Sequence, residues 1–374
     1  MRAMIMAAGL GTRLRPLTSL ISKPMAPILN RPALYHILEL LKRHGITEVV
    51  MNIHYFPETI TGYFGDGSEL GMSVRYAYEP ELLGTAGGVK NNEAFLRNGT
   101  FIVMSGDALT DLDLDAALAT HREKGGIATL AVKEVDDPSE YGVMIADGRD
   151  RVTGFQEKPQ PEEALSNLCN AGIYVFEPEI FDRIPPNSFY DFGRQVLPEL
   201  VEDDIPFYVH RIAGYWNDVG SLYEYRQGNF DALEERVKIE RPGVELRPGV
   251  LAGPRSYVSE EARVDGRVLL GAHCRVEGAA EIRGPVVLGD YCVVEDGACV
   301  SRSVVWNGVR VGAGAKVADS TLASHVSVWP EAEVRHSVVG DRAAILPGAA
   351  VRDGRVDTGS FVAEGARVEG EGAQ

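Results

Sequence analysis

The stretch from Ala3 to Pro27 reads AMIMAAGLGTRLRPLTSLISKPMAP, and it decides how the first half of the chain is interpreted. Its opening apolar run, Ala3 to Ala8, predicts a buried strand. A strand that enters a Gly-rich turn at Gly9 and Gly11 lets successive backbone N–H groups approach a phosphate closely. The first 38 residues hold five Lys or Arg and no Asp or Glu, in a chain of formal net charge −17. The stretch therefore predicts a site for a polyphosphate.

The spacing within this stretch excludes two common phosphate-binding loops. A Walker loop needs Lys and then Ser or Thr after its second Gly, whereas Gly11 is followed by Thr12 and Arg13. A dinucleotide-binding fingerprint needs a third Gly at the position that Leu14 occupies. A tight turn with solvated arginines is the alternative that a lone Gly-x-Gly favours.

Composition limits the class of protein. The chain has 374 residues, 45% hydrophobic and 24% charged, which is typical of a globular protein with two or more domains. The acidic balance argues against nucleic acid and anionic membrane as partners, because most of the surface repels phosphate. The apolar run after Arg2 is too short for a signal peptide, and no stretch approaches the roughly 18 apolar residues of a membrane span. We therefore expect a cytoplasmic protein.

The four cysteines do not form a Cys-x-x-Cys pair, which makes a zinc site improbable. They are Cys169, Cys274, Cys292 and Cys299. In a reducing compartment we expect free thiols.

Up to about residue 230 short apolar strands alternate with amphipathic helices, which predicts a mostly parallel sheet covered on both faces. The predicted strands are Glu48–Ile53, Val74–Tyr78 and Phe101–Met104, and the predicted helices are Ala33–His44 and Leu222–Val237. Ligands of such sheets lie beyond the carboxyl ends of the strands, and both Gly9 and Asp107 fall there.

Beyond residue 244 the pattern changes to aliphatic residues at every sixth position. The first of them are Val258, Val264, Leu270, Val276, Ile282, Leu288, Val294 and Val300. From Val305 one step in three shortens to five, so the pattern repeats every 17 residues. A three-sided parallel β-helix explains this arithmetic, because each unit forms one face and coils stack about 4.8 Å apart. We predict an α/β domain over 1–235, a linker over 236–244 and a β-helix of about seven coils over 245–374.

The string from Gly9 to Pro27 resembles the signature of the sugar-phosphate nucleotidyltransferases, which join a nucleoside triphosphate to a sugar 1-phosphate. The resemblance implies a Rossmann-like, mostly parallel sheet, and the repeats resemble hexapeptide-repeat, left-handed β-helix domains. It also implies that Leu10, Gly11, Thr12, Arg13 and Lys23 bind the nucleotide, with Arg13 and Lys23 neutralising its phosphates.

Two aspartates resemble the metal ligands of this family. Asp107 ends a predicted strand, and Asp218 lies in Tyr215–Gly220. Carboxylates at strand ends suit Mg²⁺, which prefers oxygen ligands. Taken singly, either residue is more often a turn or capping residue than a metal ligand. Together they predict a magnesium site, whereas we assign no chemistry to Asp111, Asp113 and Asp115.

Three further strings resemble the sugar-phosphate site of the family. They contain Gly142, the pair Glu157–Lys158, and Asn170. The resemblance implies that Glu157 and Asn170 contact sugar hydroxyls and that Lys158 neutralises the sugar phosphate. An exposed ion pair of little energetic consequence is the alternative for Glu157 and Lys158.

The resemblance places the nucleobase at Leu83–Gly88, where Gly84 and its neighbours permit close backbone approach to a flat ring. Glu79 precedes this string, and a carboxylate, which only accepts hydrogen bonds, matches the two adjacent donors of guanine. A solvated loop residue is the alternative for Glu79. Together these residues most resemble the mannose-1-phosphate guanylyltransferases, although Ser105–Ala108 departs from the family's usual string. Glucose 1-phosphate with a thymidine or uridine nucleotide is the second possibility.

Two other classes of protein share parts of this pattern. Hexapeptide helices that transfer acyl groups need a catalytic His, and His273, His325 and His336 are candidates, but the near-unbroken register argues against an extruded active-site loop. A non-catalytic regulatory relative is disfavoured because the charged residues of the motifs are intact. We expect the β-helix to mediate homo-oligomer formation, and residues 1–235 to retain some activity without it.

Overall fold

Residues 1–370 are described by a computed structural model. The chain divides into two compact units that do not follow chain order. The first unit comprises Met1–Leu10 and Leu34–Asp218, and the second comprises Gly11–Ala33 and the chain from Val219 onward. Most of the basic N-terminal stretch therefore groups with the C-terminal part of the chain.

Strands and helices alternate before residue 240, as the sequence predicts. The strands are β1 (Arg2–Met6), β2 (Pro27–Ile28), β3 (Arg31–Pro32), β4 (Glu48–Ile53), β5 (Ser73–Tyr78), β6 (Phe101–Ser105), β7 (Leu109–Thr110), β8 (Ala128–Glu134), β9 (Gly142–Ala146), β10 (Val152–Glu157), β11 (Leu168–Phe176), β12 (Tyr208–Arg211) and β13 (Trp216–Asn217). The α-helices are α1 (Ala33–Arg43), α2 (Pro57–Phe64), α3 (Gly84–Asn91), α4 (Glu93–Leu96), α5 (Leu114–Lys124), α6 (Leu197–Glu202) and α7 (Leu222–Leu233). Helix α7 ends four residues before the predicted end at Val237.

The first unit is built on a mixed sheet of nine strands with the path β10-β9-β11-β6-β1-β4-β5, to which β8 and β12 are added beside β11. Strands β5, β4, β1 and β6 are parallel, as predicted. Strand β11 runs antiparallel to β6, β8 and β9. The predicted strand-and-helix alternation thus yields a parallel half and an antiparallel half.

Aromatic side chains fill the core of the first unit. Phe101 stacks on Phe181 with ring centroids 5.1 Å apart, and Phe176 stacks on Phe192 at 4.9 Å. All four side chains are buried. This packing fixes β6 and β11, whose ends carry predicted site residues.

The second unit contains the left-handed parallel β-helix that the repeats predict. Its first sheet contains β14 (Val244–Arg247), β15 (Val250–Ala252), β18 (Val268–Leu270), β21 (Val286–Leu288), β24 (Val304–Val305), β27 (Thr321–Leu322), β30 (Val338–Val339) and β33 (Arg355–Val356). The second contains β16 (Tyr257–Val258), β19 (Arg275–Val276), β22 (Val293–Val294), β25 (Arg310–Val311), β28 (Ser327–Val328), β31 (Ala344–Ile345) and β34 (Phe361–Val362). The third contains β17 (Arg263–Asp265), β20 (Glu281–Arg283), β23 (Cys299–Ser301), β26 (Lys316–Ala318), β29 (Glu333–Arg335), β32 (Ala350–Arg352) and β35 (Arg367–Glu369).

The repeat residues form the interior of the β-helix. Leu270 pairs with Leu288, and Leu288 with Val305, so successive coils stack in register. Cys274 and Cys292 are buried in this core, at equivalent places in adjacent coils, as predicted. All four cysteines are free thiols.

Buried hydroxyls add a second repeating feature where one step shortens to five residues. Ser303, Ser320 and Ser337 are fully buried, and each hydroxyl donates to the carbonyl two residues before it. Each hydroxyl oxygen also accepts the N–H one coil further on, at 3.1 Å. This serine ladder satisfies backbone groups that the shortened corner leaves without a strand partner.

No helix within residues 1–370 is long and apolar enough to cross a membrane.

Candidate functional site

The signature segment (Gly9–Pro27) folds so that Gly11 lies against Lys23. A Cβ atom built on Gly11 would lie 2.7 Å from the Cβ of Lys23, and Gly11 has φ +62°, so only glycine fits there without strain. The hydroxyl of Thr18 donates to the Gly11 carbonyl at 2.7 Å. The segment thus brings together two residues that are twelve positions apart.

The basic and backbone groups of this segment lie at the surface. Leu10, Thr12 and Arg13 are exposed, and Lys23 is half-buried. Thr12–Leu14 forms a single 3-10 turn that follows the left-handed Gly11. Predicted phosphate-binding groups are therefore accessible on a turn whose shape Gly11 and Thr18 fix.

The structure brings Asp107 and Asp218 to the same end of a two-stranded ladder. Strands β7 and β13 are antiparallel, with Asn217 opposite Leu109. Continuing this register by one residue puts Asp218 opposite Ala108, next to Asp107. The hydroxyl of Tyr141 donates to the carboxylate of Asp218 at 3.4 Å.

This pair of carboxylates fits a hard divalent cation, because Asp oxygens are the ligands that Mg²⁺ prefers. Two neighbouring aspartates instead accept hydrogen bonds from backbone N–H groups. Asp111 accepts the N–H of Tyr215 at 2.7 Å, and Asp113 caps α5 by accepting the N–H of Ala116 at 3.0 Å. The structure thus separates two candidate ligands from two structural aspartates.

Three predicted sugar-site residues meet at one end of the neighbouring strands β10, β9 and β11. Glu157 and Gly142 are direct partners across β10 and β9. Cys169 lies opposite Val143, so the same register continued by one residue puts Asn170 opposite Gly142. Lys158 follows Glu157 with φ +47°, and its N–H donates to the Tyr141 carbonyl at 3.0 Å.

The left-handed backbone of Lys158 is a conformation that non-glycine residues seldom adopt and that is common at functional sites. Beside it, partial loss of water and the negative charge of Asp191 raise the pKa of Glu157. The positive charges of Lys158 and Arg194 act in the opposite direction. A carboxyl whose pKa is raised mainly by burial and is also acted on by nearby charges is typical of a binding site.

Asn170 is held at both ends of its amide. Its Nδ2 donates to the hydroxyl of Tyr174 at 2.8 Å, and its Oδ1 accepts the N–H of Gly172 at 3.0 Å. Burial raises the pKa of Tyr174, which stays a neutral hydroxyl. These contacts fix the amide of Asn170 beside Gly142.

Glu79 is buried rather than solvated, with 1% of its surface exposed. One carboxylate oxygen accepts from Nδ2 of Asn52 at 2.9 Å, and the other accepts from the N–H of Leu83 at 3.2 Å. Asn52 in turn accepts the N–H of Ala7 at 2.9 Å. In this geometry Glu79 ties the Leu83 loop to the end of β1.

The glycines after Glu79 lie in close contact with other protein atoms. A Cβ on Gly84 would lie 2.5 Å from the Tyr190 carbonyl oxygen, and one on Gly87 would lie 2.6 Å from that of Ser188. A Cβ on Gly88 would lie 2.7 Å from Glu79 itself. Gly84 and Gly87 therefore let α3 pack closely against residues 188–190.

Two residues that sequence reasoning missed connect this loop to the sugar-site strands. The hydroxyl of Thr85 donates to the carboxylate of Asp191 at 2.9 Å and accepts the N–H of Phe192 at 2.9 Å. Asp191 also acts on Glu157 through its charge. Thr85 lies within the quoted Leu83–Gly88 string, but nothing in the sequence marks Asp191 as its partner.

The three histidines considered for acyl transfer occupy coil corners of the β-helix. His273, His325 and His336 all have positive φ. His273 stacks on Tyr291 with ring centroids 4.7 Å apart. Strand pairing continues from coil to coil without an extruded loop over the described residues.

Comparisons with known proteins identify the family of this chain. Residues 2–235 match the nucleotidyl transferase family, and residues 301–373 match the GlmU-like C-terminal hexapeptide family. The chain belongs to the nucleotidyl transferase family. The resemblance inferred from the signature segment is confirmed, and the enzyme is a sugar-1-phosphate nucleotidyltransferase.

Among its relatives, the UTP–glucose-1-phosphate uridylyltransferase of Synechocystis sp. is 41% identical over 85% of this chain and 86% of that protein. The mannose-1-phosphate guanylyltransferase of Mycobacterium tuberculosis is 35% identical over 71% of this chain and 79% of that protein. HddC from Yersinia pseudotuberculosis, solved with GMP-PN, superposes with a TM-score of 0.53 at 26% identity, covering 61% of this chain and 97% of its own. Both nucleotide classes weighed from the sequence are thus represented.

Proposed function

We propose that this nucleotidyltransferase forms a nucleoside diphosphate sugar and pyrophosphate, with Asp107, Asp218, Lys23, Arg13 and Lys158 as its catalytic residues. The observation that supports the assignment is the register of β7 and β13, which, continued by one residue, pairs Asp218 with Ala108, the neighbour of Asp107. The packing of Gly11 on Lys23 supports a fixed basic segment.

The reaction is in-line attack of a sugar 1-phosphate oxygen on the α-phosphorus of the nucleotide, with pyrophosphate as the leaving group. A phosphate monoester has a second pKa of about 6, so the nucleophile is an anion near neutral pH and needs no general base. Catalysis then rests on positioning and charge neutralisation. Arg13 and Lys23 neutralise nucleotide phosphates, while Lys158 attracts the anionic sugar phosphate.

Asp107 and Asp218 are the residues that hold the divalent cation, which we propose is Mg²⁺. When bound, this ion orients and polarises the phosphate under attack. Glu157 and Asn170 orient the sugar hydroxyls, and Gly142 leaves room for the carboxylate of Glu157 beside β9.

For the substrates, we favour a uridine nucleotide with glucose 1-phosphate. The Synechocystis relative named for these substrates is the more similar of the two described above and aligns over the larger share of this chain. Glu79, on which a guanine preference was argued from the sequence, is 1% exposed, which supports a structural role for it.

GTP with mannose 1-phosphate is the second candidate. Relatives named mannose-1-phosphate guanylyltransferases recur at 34–36% identity. The experiment that decides is pyrophosphate release with UTP, GTP, dTTP and ATP, each with glucose 1-phosphate or mannose 1-phosphate. UDP-glucose as the dominant product, identified by mass, supports the first candidate and GDP-mannose the second, whereas no product from any pair overturns the function.

We also propose a cytoplasmic homo-oligomer. The four free thiols suit a reducing compartment. Exposed aromatic residues of the β-helix, among them Trp329 and Phe361, favour self-association through this domain. Sedimentation of the full-length chain tests the oligomer, and a monomer at working concentration contradicts it.

A further inference from the structure

The hairpin that follows the signature segment is anchored by residues of the C-terminal part of the chain. This anchor hairpin comprises β2, Leu29, Asn30 and β3. Its two tip residues have φ +47° and +64°. A positive φ is strained for leucine and persists only where the surroundings hold it.

Helix α7 supplies the first set of anchors. The N–H of Leu29 donates to Oδ1 of Asn229 at 3.0 Å, and Asn229 is fully buried. The hydroxyl of Tyr225 donates to the carbonyl of Pro27 at 2.6 Å. Both ends of β2 are therefore bound to α7.

The β-helix supplies the second set. Nδ2 of Asn30 donates to the carbonyl of Leu288 at 2.8 Å. The indole N–H of Trp306 donates to the hydroxyl of Tyr225 at 2.8 Å. A hydrogen-bond chain thus runs from Trp306 through Tyr225 to Pro27.

Trp306 departs from the repeat in a way that marks this contact. The residues at its place in neighbouring coils are Gly271, Gly289, Ala323 and Gly340. Its side chain is nonetheless 6% exposed, because it lies against the ring of Tyr225. A large side chain with a satisfied donor at a place otherwise kept small is what a specific contact requires.

The anchor hairpin is coupled to Lys23 over a short distance. Lys23–Met25 forms a 3-10 turn that ends two residues before Pro27, and the N–H of Ala26 donates to the Lys23 carbonyl at 3.0 Å. The N–H of Ala33 donates to the carbonyl of Ala26 at 3.0 Å, which closes the base of the hairpin. A shift of Pro27 is therefore passed on to the backbone of Lys23.

We propose that Trp306 and Tyr225 are positioning residues through which the β-helix sets the place of Lys23. The inference rests on the proposed role of Lys23 at the nucleotide phosphates. Displacements of about 1 Å in a positioned group can cost up to about a hundredfold in rate. Removing the β-helix would remove Trp306 and Leu288 as anchors, so we expect residues 1–235 alone to bind the nucleotide more weakly than the full chain.

The test compares full-length Trp306→Phe and Tyr225→Phe with wild type. Each variant keeps an aromatic ring. Trp306→Phe removes one buried hydrogen bond between Trp306 and Pro27, and Tyr225→Phe removes both. We expect KM for the nucleoside triphosphate to rise about tenfold, the size of effect of one lost buried hydrogen bond. KM for the sugar 1-phosphate should stay within about twofold of the wild-type value, because the sugar-phosphate site has no part in the hydrogen-bond chain from Trp306 to Pro27.

Ser320→Ala is the matched control, since it also removes buried hydrogen bonds from the β-helix, and the hydrogen-bond partners of its hydroxyl, at Ala318, Val334 and Ser337, all lie within the β-helix. A variant that only weakens the fold would behave like Ser320→Ala, with a lower melting temperature and unchanged KM values. The inference is overturned if KM for the nucleoside triphosphate is the same in Trp306→Phe, Tyr225→Phe and Ser320→Ala. It is also overturned if KM rises by the same factor for both substrates.

Calorimetric titration with the nucleoside triphosphate alone separates this inference from the proposed function. If wild type binds the nucleotide but transfers nothing to a sugar, the proposed function fails, and a weaker Kd in Trp306→Phe still supports the positioning role. Unchanged Kd in both aromatic variants, or no nucleotide binding by wild type, overturns it.

Discussion

The two units of the molecule position their charged groups in different ways. The first unit puts carboxylates at strand ends, where Asp107, Asp218 and Glu157 follow from sheet register. The second unit holds Lys23 on an irregular segment whose place depends on a repetitive β-helix far along the chain. Strand register alone is thus enough to place the carboxylates, whereas the basic segment is placed by hydrogen bonds to residues far along the chain.

The largest expected effect compares one residue from each unit. Asp107→Ala and Lys23→Ala should each lower kcat/KM about a hundredfold or more, by analogy with removal of a charge-stabilising group. Both variants should keep the melting temperature of wild type within a few degrees. Asp113→Ala, which removes only a helix cap, should lose about 1 kcal/mol of stability and no activity. Normal turnover in either active-site variant would contradict the assigned role.

Gly11→Ala tests how Lys23 is positioned in the second unit. The added Cβ meets the stem of Lys23, so we expect kcat/KM for the nucleotide to fall about tenfold or more. Gly45→Ala is the control, because Gly45 also has positive φ but an added Cβ meets no atom within 4 Å. It should show only backbone strain of about 1 kcal/mol. Equal activity in the two variants would break the link between Gly11 and Lys23.

Glu79→Gln distinguishes between two roles of Glu79 in the first unit, a structural role in holding the Leu83 loop and direct contact with the nucleobase. The structure predicts a loss of about 1–3 kcal/mol in the free energy of unfolding, because one amide donor would face Asn52 or the N–H of Leu83. The ranking of nucleotides should not change. A shift from GTP towards pyrimidine nucleotides would instead support the direct contact with guanine that the sequence suggested.

The smallest expected effect concerns pH. The charge of Asp191 contributes to the raised pKa of Glu157, so Asp191→Asn should lower that pKa towards its usual value. Glu157 would then stay a carboxylate to lower pH. We expect the acid-side rise of KM for the sugar 1-phosphate to move to lower pH in the variant, measured by initial rates. An unmoved profile would show that another group controls it.

The sequence predicted the β-helix well because its information is local. Each inward residue recurs at a fixed spacing, so Leu270, Leu288 and Val305 could be assigned to one stacked column without knowledge of the rest of the fold. Strand β4 and helix α1 were predicted for the same reason, since each buries one face over consecutive residues.

Contacts between distant parts of the chain were beyond reach of these patterns. The partnership of Thr85 with Asp191 joins residues 106 positions apart, and that of Asn30 with Leu288 joins residues 258 apart. The chemistry of a carboxylate predicted that Glu79 accepts hydrogen bonds. The buried position of Glu79 determines which donors it can reach, and that position could not be predicted from the sequence. Trp306 alone carried a usable signal, as a large residue at a place that neighbouring coils keep small.

The most direct test of the account is pyrophosphate release by the full-length enzyme, measured with both substrates and with each one left out. The account predicts release only when a nucleoside triphosphate, a sugar 1-phosphate and Mg²⁺ are all present, with one pyrophosphate formed per nucleotide sugar. Release that does not depend on the sugar 1-phosphate, or none with any substrate pair, would contradict it.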